Sequence, residues 1–145
     1  MSTRIRPGNN TEATIMVADS DVLVRMGLAE YLRDCGYRVI EAADGSEVTT
    51  ILNHSELVVD VLLCDFDLEG GNGFATVRQV RAEHPGVKVI LAGGVESSAN
   101  AAADLCESGP LLARPYDPQI VVDRIKRVLA RRKAVTGPQL FSVGR

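Results

Sequence analysis

The apolar residues of this chain change period again and again, and that alternation limits the folds open to it. The run Thr14-Ile15-Met16-Val17-Ala18 reads as a short strand that stops at Asp19. From Asp21 to Asp34, Leu23, Met26, Leu28, Tyr31 and Leu32 approximate one helical face, and Gly36 terminates the helix. Residues 37–41 form a second strand pattern, and Gly45-Ser46-Glu47 opens a helix carrying Val48, Ile51 and Leu52. Val58-Val59-Asp60-Val61-Leu62-Leu63-Cys64 is a third strand, closed by Asp65. Asn72 suits the N-cap of a helix using Phe74, Val77 and Val80, which ends before Pro85-Gly86. Residues 87–91 are a fourth strand, followed by Ala92-Gly93-Gly94. The alanine-rich segment 98–106 is helix-prone. Residues 110–113 are a short fifth strand, and Arg114-Pro115-Tyr116-Asp117-Pro118 leads into a last helix through about Arg132.

Strands alternating with helices, with the strands almost continuously apolar, predict an α/β domain: a doubly wound, five-stranded parallel sheet covered on both faces. Such sheets bind ligands at the carboxyl ends of their strands, where the winding reverses. In the order 2-1-3-4-5 the first and third strands are neighbours, so Asp19 and Asp65 converge at that crevice. Burying an ionised carboxylate is costly unless a cation or several donors meet it. The pattern therefore predicts an acidic pocket. With 145 residues the chain fits one domain, expected over 13–133, with flexible segments at 1–12 and 134–145 where periodicity is lost.

Composition narrows the alternatives. A net charge of −3 argues against nucleic acid as a direct ligand. No stretch approaches the roughly 20 apolar residues of a membrane span, and residues 1–12 lack an apolar signal core. Cys35, Cys64 and Cys106 are odd in number and lie in or beside apolar segments, as buried free thiols of a cytoplasmic protein do. His54 and His84 stand apart from any metal-ligand spacing and read as surface residues near helix ends.

Four segments carry a resemblance: Val17-Ala18-Asp19-Ser20-Asp21, the strand end Leu62-Leu63-Cys64-Asp65, the turn through Asn72-Gly73, and Arg114-Pro115. Each is weak alone, but in this order and spacing the chain resembles the receiver domain of two-component response regulators from Thr14 to Arg132. The resemblance implies a flavodoxin-like (βα)5 fold and a phosphorelay role. Asp65 would be the phosphoacceptor, taking its phosphoryl group from a histidine kinase or a histidine phosphotransfer protein. It also implies Mg²⁺ held by Asp19, Asp65 and the backbone carbonyl of Asp67, with Arg114 against the phosphoryl oxygens. Mg²⁺ prefers oxygen ligands and retains waters, which suits a shallow acidic pocket.

The chain departs from the family pattern at several positions. The second of two adjacent acids is Ser20, whose hydroxyl can offer a ligand or hold a water, and losing that charge should weaken Mg²⁺ binding by about tenfold. Asp21 is the other candidate to complete the site. The Thr or Ser at the end of the fourth strand reads as Ala92, and the swinging aromatic of the fifth strand as Leu111. Together these alter both members of the usual switch. The Lys before the proline is Arg114, a forked guanidinium in place of a point charge.

Three functions compete on these residues. The first is a single-domain receiver acting as a relay or phosphate sink, whose output passes through a partner protein. The second is a pseudo-receiver that binds proteins without phosphate, favoured by Ser20, Ala92, Leu111 and Arg114. The third is a phosphatase of the haloacid dehalogenase type, opposed by Glu69 where its motif wants Thr or Val. The acidic loop Asp19-Ser20-Asp21 also argues against a flavin phosphate. The first reading ranks ahead, because Asp19 and Asp65 have little reason to stay paired in a purely structural copy. The face of the fourth helix, fifth strand and fifth helix is a candidate homodimer surface, with Arg124, Arg127, Arg131 and Arg132 able to pair with acids.

Overall fold

The computed structural model describes residues 13–54, 56–68, 73–93, 112–113 and 117–144. Five strands, β1 (Thr14–Ala18), β2 (Arg38–Ala42), β3 (Val61–Asp65), β4 (Lys88–Gly93) and β5 (Leu112–Ala113), form one parallel sheet in the order β2-β1-β3-β4-β5. The doubly wound order expected from the sequence is the one observed. Helices α1 (Val22–Asp34), α2 (Gly45–Leu52) and α3 (Gly73–Glu83) follow β1, β2 and β3. A C-terminal helix runs Pro118–Gly144, past the Arg132 suggested by the apolar spacing. The helix predicted over 98–106, Leu111, Arg114 and Tyr116 lie outside the described residues.

Strand side chains sort by the two-residue period of a β-strand. Ile15, Val17, Val61, Leu63, Ile90 and Ala92 meet Leu28 and Leu32 of α1 and Val121, Ile125 and Val128 of the C-terminal helix. Met16, Ala18, Leu62, Cys64, Val89 and Leu91 meet Val48 and Leu52 of α2 and Val77 and Val80 of α3. Strands β1, β3 and β4 thus feed two cores at once, which is why their sequences are apolar without alternation. Burying a Val, Leu or Ile side chain stabilises by about 1.5–3 kcal/mol, so this double layer dominates the packing energy.

Two sequence expectations fail, for one reason. Leu23 and Met26, taken as part of the buried face of α1, are 81% and 54% exposed, and Val58, taken as strand, is 71% exposed. Leu23 and Met26 lie in the first turns of α1, before the helix reaches the core at Leu28 and Leu32. Val58 precedes the start of strand pairing, which begins with Val61 opposite Ile15 and Lys88. Apolar character marked these residues, but position along the element decided their burial.

Candidate functional site

The register fixes the site. Ala18 pairs with Cys64, so Asp19 and Asp65, the next residues on each chain segment, emerge side by side at the carboxyl edge. Asp65 in turn pairs with Ala92 on its other side. Both acids are buried, Asp19 at 3% and Asp65 at 5% exposure. Backbone bonds hold each end in place: the Asp19 N–H donates to the Ala42 carbonyl at 3.1 Å and the Phe66 N–H to the Ala92 carbonyl at 2.6 Å. The Cys64 thiol records their nearness. Its pKa is pushed up first by burial, then by the charges of Asp65 and Asp19, so it stays protonated and chemically quiet.

Backbone donors aim both carboxylates. Oδ1 of Asp19 accepts the Asp21 N–H at 2.9 Å, and Oδ1 of Asp65 accepts the Asp67 N–H at 3.3 Å. Two glycines let the backbone close in around Asp65. A Cβ built on Gly73 would run into the carbonyl of Asp65, so only glycine lets α3 start this close to β3. A Cβ on Gly93, whose φ is +145°, would come within 2.9 Å of Asp65 Oδ1.

Gly93 corrects the sequence assignment. Ala92 was read as the position at the end of β4 facing the acceptor, yet it is 1% exposed and belongs to the core with Val17, Leu63 and Ile90. The β4 residue beside the Asp65 carboxylate is Gly93. The period of two turns Ala92 into the sheet face and leaves its successor at the crevice. A hydroxyl is missing at this edge in either case, because glycine carries no side chain at all.

Asp21 also has a different occupation from the one considered for it. Its Oδ1 accepts the N–H groups of Leu23 and Val24 at 3.0 and 3.2 Å, so it is the N-cap of α1. Ser20 and Asp67 are exposed. Among the described residues no three His, Cys, Asp or Glu side chains cluster as a metal-holding group. The chemistry on offer is instead a pair of buried carboxylates beside exposed loop residues. Such a pair fits a hard cation that keeps several waters better than one needing a closed protein cage.

Sequence reasoning missed Arg25, a partly buried residue on the same face of α1 as Leu28, Ala29 and Leu32. Its Nη1 donates to the Asp19 carbonyl at 2.8 Å and its Nε to Glu41 Oε1 at 3.2 Å. No motif marks it, because its partners are a backbone oxygen and a residue sixteen positions away.

A doubly wound sheet with two acids at one carboxyl edge defines a class of single-crevice α/β domain. A family model described as the response regulator receiver domain matches residues 15–126, and the chain belongs to that family. It is a signalling domain of two-component systems. Response regulator RR06 of Streptococcus pneumoniae is 28% identical over 81% of this chain and 53% of that relative. The sensor kinase CckA of Brucella abortus is 29% identical over 83% of this chain and 13% of that relative. The chain thus spans about half, or less, of the curated relatives it matches. A CheY-like receiver domain from Methanospirillum hungatei superposes with a TM-score of 0.76 at 21% identity, covering 85% of this chain and 98% of that one. The receiver domain of DrrB, solved in a BeF3-activated state, gives 0.69 at 23% identity, covering 82% and 98%. These structural likenesses concern the fold. Among the described residues no helix is long and apolar enough to cross a membrane.

Proposed function

We propose that Asp65 accepts a phosphoryl group from a histidine kinase or a histidine phosphotransfer protein. The observation that carries this is the pairing of Ala18 with Cys64, which sets two buried acids side by side in a receiver-family chain. A carboxylate oxygen of Asp65 attacks phosphorus, the P–N bond to the donor imidazole breaks, and the imidazole nitrogen keeps that electron pair and takes up a proton. Asp19 and Asp65 would hold Mg²⁺ with the Asp67 carbonyl and waters, and the bound cation supplies neutralisation of the charge on the moving group.

Each of this chain's residues then has a task. The Asp67 N–H orients Asp65 through Oδ1, and the Asp21 N–H orients Asp19 in the same way. Arg114 is the cation proposed for the phosphoryl oxygens. Gly93 offers no side-chain hydroxyl to the phosphoryl group. The exposed Val22, Leu23 and Met26, in the first turns of α1 beside the crevice, offer apolar surface to the protein that brings the phosphoryl group.

Incubation with acetyl phosphate and Mg²⁺, followed by intact mass measurement, tests the reading. The expected result is one added phosphoryl group on the wild type and none on Asp65→Asn. An unmodified wild type, or equal modification of the variant, would overturn it.

A further inference from the structure

Asp19 is held by more than its strand. Arg25 reaches back from the second turn of α1 and donates Nη1–H to the Asp19 carbonyl at 2.8 Å. Its Nε–H goes to Glu41 Oε1 at 3.2 Å, and its side chain is only 15% exposed. Glu41 lies on the edge strand β2, and its other oxygen meets Arg33 Nη1 at 3.4 Å. Arg33 also donates Nη2–H to the Val39 carbonyl at 3.0 Å, so α1 grips β2 at two places, the Glu41 carboxylate and the Val39 carbonyl.

These contacts converge on the β1–α1 junction. The Asp19 N–H is bonded to β2 through the Ala42 carbonyl at 3.1 Å, and the Asp19 carbonyl is bonded to the guanidinium. The peptide units on both sides of Asp19 are therefore fixed, and its carboxylate inherits their orientation. A forked guanidinium can serve a carbonyl and a carboxylate at once, which an ammonium on a flexible stem does poorly. Burial strengthens both bonds, since a partly desolvated charged donor is worth more than an exposed one.

We infer that Arg25, anchored by Glu41, is a positioning residue that sets the Asp19 carboxylate for the cation shared with Asp65. The inference rests on the Mg²⁺-assisted reading of those two acids. It also has a sign that separates it from simple electrostatics. As a nearby positive charge alone, Arg25 would oppose a divalent cation, and removing it would tighten Mg²⁺ binding. As a positioning residue, removing it weakens binding, as loss of an outer-shell partner of a metal ligand does.

The test is calorimetric titration of Mg²⁺ into wild type, Arg25→Gln, Arg25→Lys and Glu41→Gln, with thermal melting of each. Arg25→Gln is expected to weaken Mg²⁺ binding by about tenfold. Arg25→Lys should also weaken it despite keeping the charge, and Glu41→Gln should weaken it by less. Affinity unchanged or increased in Arg25→Gln, or Arg25→Lys equal to wild type, would overturn the inference. If Arg25→Gln does not fold, Glu41→Gln decides, and unchanged affinity there overturns it. A wild type that binds no Mg²⁺ would fail differently, by removing the reading of the acid pair itself.

Discussion

Strand β3 is bracketed by two aspartates, and the two ends of the sheet use them in opposite ways. At the amino end, Asp60 is structural: its Oδ2 accepts the Thr14 N–H at 2.9 Å, its own N–H donates to the Thr14 carbonyl at 2.9 Å, and its carbonyl accepts the Lys88 N–H at 3.0 Å. One residue thereby staples β1, β3 and β4 where pairing starts. At the carboxyl end, Asp65 sits next to a second buried acid, with glycines at positions 73 and 93 drawing backbone close around it. The same side chain on the same strand is a clasp at one end and a candidate acceptor at the other. Both aspartates meet backbone N–H groups; what differs is that Asp65 also has a second buried acid beside it.

That contrast can be broken by substitution at each end. Asp65→Asn should abolish phosphoryl uptake measured by intact mass while leaving the melting temperature unchanged or higher, since it relieves repulsion from Asp19. Stable phosphorylation of this variant would erase the distinction between the two ends. Gly73→Ala should cost about 3 kcal/mol in urea unfolding, because the new methyl meets the Asp65 carbonyl where no flexible group can yield. A loss below about 0.5 kcal/mol would show that α3 can retreat from the site. Asp60→Ala is expected to cost about 2 kcal/mol by stranding the Thr14 N–H, with phosphoryl uptake retained.

Smaller effects sharpen the comparison. Asp21→Ala should lower stability by about 1 kcal/mol through loss of the α1 cap. Its Mg²⁺ affinity, followed by calorimetry, should stay close to wild type; a marked fall would place Asp21 among the ligands after all. Leu23→Asp should change stability by no more than about 0.5 kcal/mol, because the side chain is 81% exposed. It should slow transfer from a protein phosphodonor and leave acetyl phosphate labelling intact. Equal slowing with both donors would move the fault from the docking face to the pocket.

The parts of the site legible in the sequence were those carried by strand ends. Asp19 and Asp65 stood out because each closes an apolar run, and the strand order then made them neighbours. Ala92 was misplaced because counting along an apolar strand does not reveal where its pairing ends. A shift of one residue exchanges the core face for the crevice, and it is resolved by the packing of Ala92 in the core and the approach of Gly93 to Asp65 Oδ1. Leu23 and Met26 were misread by the same limit, since helical spacing names a face without saying how far the core extends beneath it.

Periodicity marked the alternating strands and helices of a parallel sheet and the two acids that close its apolar strands, because a strand buried on both faces must be apolar throughout; the pairing of β1 with β3 set those acids side by side. The tertiary structure decided which side chains serve the acids: Gly93 in place of Ala92 beside Asp65, Asp21 as a helix cap, and Arg25 bridging Asp19 to Glu41. Those roles depend on distances between residues remote in the chain and on backbone oxygens, neither of which leaves a pattern in the order of amino acids.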